Sequence, residues 1–124
     1  MESDKTRLDK GREMFEAVYG DTAKLPDNVE TNPFQRLMLE NLFSEIWGRD
    51  AMSVRDRRLI IIGVIAAIAP DPAMLIEIQM RAALGRGELT REQLREIPLL
   101  LTQYVGYPRT VPVMHTIEKI LADS

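Results

Sequence analysis

Leu59-Ile-Ile-Ile-Gly-Val-Ile-Ala-Ala-Ile-Ala69 is the stretch on which the fold turns. Its β-branched content suits a buried strand as well as a helix, so length has to decide. Ser53-Val54-Arg55-Asp56, just upstream, resembles a capping box with Asp in the usual Glu place, and Pro70 stops the run. About seventeen residues lie in between without a turn signal, which is long for a strand and predicts a central buried helix. Eleven apolar residues are too few to cross a bilayer.

Caps and breakers mark further helices on both sides. Upstream, Asn32-Pro33 opens a helix running to about Trp47, with Asn as cap and Pro at the first helical position. That helix carries two apolar stripes, Phe34/Leu37/Met38/Ile46 and Leu39/Phe43/Trp47. A helix apolar on two faces is buried on both, or buries one against another subunit. Before it lies a loop over 20–32, long enough to suggest function or mobility. An N-terminal helix over 3–19 is marked by Leu8, Gly11, Phe15 and Val18 at helical spacing and ended by Gly20.

Downstream, Asp71-Pro72 opens a fourth helix whose solvent strip carries Glu77 and Arg81, a favourable i,i+4 pair. Gly85 and Gly87 close it. Thr90-Arg91-Glu92-Gln93 is a capping box for a fifth helix, and Pro98 within it predicts a kink near Leu94. Gly106 ends that helix, and Pro108 opens a sixth to about Ala122. No repeat, linker or strand hairpin is visible. The expectation is an all-α fold of about six helices in one domain, 1–124.

Composition removes whole classes of function. A chain of 124 residues buries roughly 65% of its unfolded surface and needs no covalent staple. There is no cysteine, which excludes disulfides, thiolate metal sites and thiol catalysis. A single histidine, His115, excludes a multi-histidine metal site, and no cofactor is expected. A net charge of −3 argues against a nucleic-acid surface. Of the basic residues twelve are Arg and four Lys, a bias that suits carboxylate recognition or simply a charged surface. The N-terminus, Met1 to Lys10, mixes acids and bases without an apolar run, so it does not read as a signal peptide. A cytoplasmic protein without membrane contact is the expectation.

Several segments then line up in order and spacing. They are Ser44-Glu45-Ile46-Trp47, Arg55-Asp56-Arg57-Arg58-Leu59, Ile76-Glu77-Ile78-Gln79-Met80-Arg81-Ala82-Ala83-Leu84, Leu89-Thr90-Arg91-Glu92-Gln93-Leu94-Arg95-Glu96-Ile97 and Tyr104-Val105-Gly106-Tyr107-Pro108. Together they make Pro33 to Leu121 resemble the carboxymuconolactone decarboxylase family. The resemblance implies the helical fold shared with alkylhydroperoxidase D. It also implies a homo-oligomer, a trimer or hexamer, with apolar faces such as Leu39/Phe43/Trp47 as contacts. Of the family's two chemistries, thiol redox needs a Cys-x-x-Cys pair that is absent here. The other is cofactor-free decarboxylation of a lactone acid in aromatic catabolism. Two positions depart from the family pattern: Gln79 stands where decarboxylases typically carry histidine, and Leu100 where a polar residue is common.

The candidate site residues follow. Gln79 lies two residues after Glu77, about 200° around the helix, and so points inward. It either orients a ligand or joins two helices as a core amide. Glu96 matches a family glutamate and shares a face with Glu92 and Gln103. It is either a general acid–base, which would need burial to raise its pKa, or a surface residue. Glu45 is a second carboxylate, beside Trp47 as a substrate contact. Arg57 either clamps a substrate carboxylate or pairs with a nearby acid. Tyr104 and Tyr107 flank Gly106, where either hydroxyl can donate to an enolate oxygen or simply pack. His115, near Val111 and Met114, is a substrate contact or a structural residue.

The functional expectation is a cofactor-free, carboxy-lyase-like enzyme acting on a small carboxylate or lactone, with Glu96, Glu45 and Tyr104 as the catalytic groups. The alternative is a non-catalytic oligomeric binding or scaffold protein. Inward Gln79, Glu96 and Tyr104 around one cavity would favour the enzyme; their dispersal would favour the scaffold.

Overall fold

In the computed structural model, which describes residues 6–124, Leu59–Ala69 winds as a helix and not a strand. Helix α3 spans Val54–Ile68. The described residues contain no strand. They divide into two compact units, one ending at Val54 and the other Arg55–Ser124.

In the first unit, α1 spans Arg7–Tyr19. The expected start at Ser3 lies outside the described residues. Thr6 is the cap: its side chain accepts from the Asp9 amide, and the Asp9 carboxylate accepts from the Thr6 amide. A 3₁₀ turn, Gly20–Thr22, follows, and the loop beyond it is tied down by buried Val29 and by Arg12 on Glu30 at 3.0 Å. Helix α2, Pro33–Leu37, begins at the Asn32 cap, whose side chain accepts from the Gln35 amide. It continues directly into a wider, π-helical segment, Met38–Trp47.

Leu39, Phe43 and Trp47 on that segment are buried. The Phe15 and Phe43 rings meet edge to face at 5.1 Å, and Trp47 stacks on Phe43 at 6.2 Å. This corrects the expectation that the Leu39/Phe43/Trp47 stripe faces another subunit: α1 already covers it. Gly11 makes this packing possible, because a Cβ there would overlap the Leu39 carbonyl. The other stripe is the exposed one, with Phe34, Leu37 and Ile46 open to solvent.

The second unit contains α3, α4 (Pro72–Gly85), α5 (Arg91–Val105) and α6 (Tyr107–Asp123). Asp71 caps α4, and Thr90 with Gln93 forms the expected capping box of α5. Helix α5 runs unbroken through Pro98. Gly106, at φ 90°, turns the chain from α5 into α6, a conformation that strains any residue with a Cβ. The core joins Ile62 and Ala66 of α3, Ile76 and Met80 of α4, Leu94 of α5, and Val113, Ile117 and Ile120 of α6. Each of the larger side chains among them contributes about 1.5–3 kcal/mol by leaving water.

Helix α3 is not the fully buried helix its composition suggests. Only Arg58, Ile62 and Ala66 are buried along it. Ile60, Val64 and Ile68 are exposed, Ile68 by 74%. The reason is geometric: neighbours cover one face of α3, while apolar side chains occur all round it. Arg109 secures its C-terminal end, donating from Nε to the Ala66 carbonyl at 2.8 Å and from Nη2 to the Ala69 carbonyl at 2.5 Å.

Candidate functional site

Gln79 does sit inside the second unit, only 4% exposed. Its Oε1 accepts a hydrogen bond from Arg58 Nη1 at 2.9 Å. Arg58 is fully buried, and its Nε and Nη2 donate to the two carboxylate oxygens of Glu88 at 2.6 and 3.1 Å. Glu88 also accepts from Arg86 Nε at 3.2 Å, while its backbone carbonyl takes Arg55 Nε at 2.9 Å. A buried guanidinium thus ties α3 to α4 and to the turn before α5. The forked pairing and the amide bond supply what a buried cation needs.

Arg57, the arginine expected to clamp a substrate carboxylate or pair with an acid, is the neighbour of Arg58 in sequence. Arg57 is half-buried on α3, whereas Arg58 shares the face of Ile62 and Ala66, four and eight residues on. That spacing was the available signal for Arg58. Glu88 lies in a turn, where no periodicity marks an inward side chain.

The remaining candidates are distributed. Tyr104 is 83% exposed, and His115 is exposed on α6. In the first unit, Trp47 is packed against Phe43, and Glu45 is exposed, bonded to Arg49 at 3.3 Å. Glu45 and Arg49 line a shallow hollow there together with Ser44 and Asp50.

Glu96 and Tyr107 do come together. They line a groove of ≈ 460 Å³ between α5 and α6. Its walls are largely apolar, with Pro98, Leu99, Val111 and Met114, and Thr102, Gln103 and Thr110 add polar groups. The Thr110 hydroxyl bridges Thr102 Oγ1 at 2.7 Å and the Gly106 carbonyl at 3.0 Å, which holds the two helices at this point. Glu96 is exposed and has no hydrogen-bond or ion-pair partner among the described residues. It lacks the apolar burial expected of a general acid in the single chain. At the rim, Arg95 grips Glu118 with two bonds, Nε to Oε2 at 2.9 Å and Nη2 to Oε1 at 2.8 Å. Hydrogen bonding from Arg95 lowers the Glu118 pKa, and the same bonding raises that of Arg95. No group of three or more acidic or histidine side chains among the described residues could hold a metal ion. No helix among them is long and apolar enough to cross a membrane.

This arrangement offers an apolar slot for a small molecule, a carboxyl group and a phenol that can reach into it, and an arginine at its edge. Sequence comparison gives the slot a context. Residues 32–118 match the model of the carboxymuconolactone decarboxylase family. A protein of Acinetobacter baylyi described as 4-carboxymuconolactone decarboxylase is 25% identical over 125 residues, which cover 98% of this chain and 91% of that protein.

Proposed function

The chain belongs to the carboxymuconolactone decarboxylase family, and on that premise we propose that it is a cofactor-free, carboxy-lyase-like enzyme acting on a small carboxylated or lactone-type molecule in the α5–α6 groove. The observation that carries this reading is the convergence of Glu96 and Tyr107 on one largely apolar groove of ≈ 460 Å³. That volume is in the range of small-molecule sites.

The chemistry is undemanding in parts. As the bond to the carboxylate carbon breaks, CO2 leaves and its electron pair flows into the conjugated carbonyl, giving a dienolate. The Tyr107 hydroxyl donates a hydrogen bond to that oxygen. The Glu96 carboxyl group delivers a proton to carbon and recovers one from water. The apolar walls formed by Leu99, Val111 and Met114 give the reacting carboxylate a less polar setting than bulk water, which favours moving its charge into the dienolate. Self-association belongs to the same proposal: the exposed Ile60, Val64 and Ile68 of α3 are apolar side chains that a second copy would cover.

A second reading has its own observation. The Gln79 amide oxygen is engaged by Arg58, and Tyr104 points to solvent, so these candidates do not share the groove with Glu96. That dispersal favours a non-catalytic binding or scaffold protein. Incubating the protein with 4-carboxymuconolactone and related lactone and keto acids, with CO2 release as the readout, separates the two. Turnover supports the enzyme. Binding without CO2 from any of these acids supports the second reading.

A further inference from the structure

We propose that Arg95 is the carboxylate-binding residue of the α5–α6 groove and that Glu118 occupies it as an internal stand-in, displaced when a ligand with a carboxylate on an apolar body enters. This rests on the reading of the groove as a ligand site and names the group that would select the ligand.

Four observations carry it. The Arg95 fork already holds a carboxylate in two-point geometry, at 2.9 and 2.8 Å, on the edge of the groove. A ligand carboxylate presents the same two oxygens, so the exchange conserves both bonds. The pair is also open to water, with 56% of the Arg95 side chain and 46% of the Glu118 side chain exposed, so solvent screens its attraction and both groups can be rehydrated when they part. Finally, Glu118 is not abandoned on leaving. It lies on a solvent-exposed face of α6, where water can take over its carboxylate. Beside Arg95, the side chains of Pro98, Leu99, Val111 and Met114 offer an apolar bed for the rest of the ligand. Glu118 cannot use that bed, and this is the ligand's advantage in the competition.

The test is a binding titration on the full chain, followed by amide chemical shifts, with benzoate as probe and benzamide as its neutral isostere. Benzoate is expected to shift resonances of α5 and α6 and to bind about tenfold more tightly than benzamide, the size of one charge-assisted contact. Glu118→Gln frees Arg95 and should tighten benzoate severalfold without changing benzamide. Arg95→Gln should bring benzoate down to the level of benzamide, and Arg95→Lys should fall between, because an ammonium cannot fork. The side chains are surface-exposed, so these variants keep the fold, which circular dichroism verifies. Equal affinity for benzoate and benzamide, or a Glu118→Gln variant that binds benzoate no better, overturns the proposal. Binding is read without turnover. A chain that releases no CO2 yet shows this pattern refutes the enzyme and keeps the site. Turnover that survives Arg95→Gln with unchanged KM does the reverse.

Discussion

Arg58 Nη1 and Gln79 Oε1 lie 2.9 Å apart in the interior of the second unit, where a fully buried guanidinium uses a core amide as one of its acceptors. Gln79 is the position at which the family resemblance leads one to expect a histidine. Its amide oxygen here works on an arginine of the neighbouring helix, so its visible role is to join α3 to α4.

Breaking that cluster from the arginine side should be costly. Arg58→Met strips Glu88 of its two-point partner and is expected to lower unfolding stability by about 3 kcal/mol, the low end for a broken buried pair, since Arg86 still reaches Glu88. Gln79→Leu should cost about 1–3 kcal/mol. The double variant should lose less than the sum, because both changes remove one shared contact. Urea unfolding with unchanged slopes provides the values.

Two glycines should respond in opposite ways to alanine. At Gly11 a Cβ would run into the Leu39 carbonyl, and a backbone group cannot swing aside. Gly11→Ala is expected to destabilise the first unit by about 1–3 kcal/mol. At Gly63, inside α3, a Cβ would only touch Leu101 Cδ2 at 3.9 Å. Gly63→Ala should therefore be neutral or stabilise by up to about 1 kcal/mol through helix propensity. Thermal unfolding of both variants checks the contrast.

Acid should reveal the Glu77 network. Hydrogen bonds from Arg81 at 2.8 Å and Lys119 at 3.2 Å lower the Glu77 pKa from its usual 4.5. A depressed folded-state pKa adds stability that is present above the unfolded value and is lost as pH falls through the folded one. The partly exposed network should contribute less than about 1 kcal/mol. Glu77→Gln is expected to be less stable than the parent at neutral pH, with the gap closing as pH falls below 4.5. A gap that persists at low pH would assign the effect to packing.

Under the proposed chemistry, Glu96→Gln should reduce kcat by about 10²-fold or more, the contribution of a positioned proton donor. Tyr107→Phe should reduce it by about tenfold or more through loss of an oxyanion donor, with KM changing less. Steady-state CO2 release measures both. Unchanged turnover in Glu96→Gln would remove that residue from the mechanism.

If self-association uses the apolar face of α3, a charge there should oppose it. Ile68→Lys combined with Val64→Glu is expected to shift the protein to a smaller species in light scattering coupled to gel filtration. Its helix content should be unchanged, since Ile68 is 74% and Val64 46% exposed in the single chain. A parent protein that is already monomeric at tens of micromolar would defeat this expectation.

Helicity was legible in the residues themselves because its causes are local. The Asn32 and Asp71 caps, the Thr90/Gln93 box and the Gly106 stop each act within a few residues of where they stand. The absence of cysteine likewise settled, without any structure, that thiol redox chemistry is unavailable. The inward direction of Gln79 followed from its angle to Glu77 around one helix. What it would meet there did not follow, because Arg58 and Glu88 arrive from other elements. The same limit applied to Leu39, Phe43 and Trp47: their stripe announced burial, but only the packing of α1 decided which surface buries them. Glu96 and Tyr107, eleven positions apart, became neighbours of one groove only when α5 and α6 packed together. Caps and periodicity are properties of a segment and can be read along it. A site is a meeting of segments, and the tertiary contacts alone decide which side chains meet.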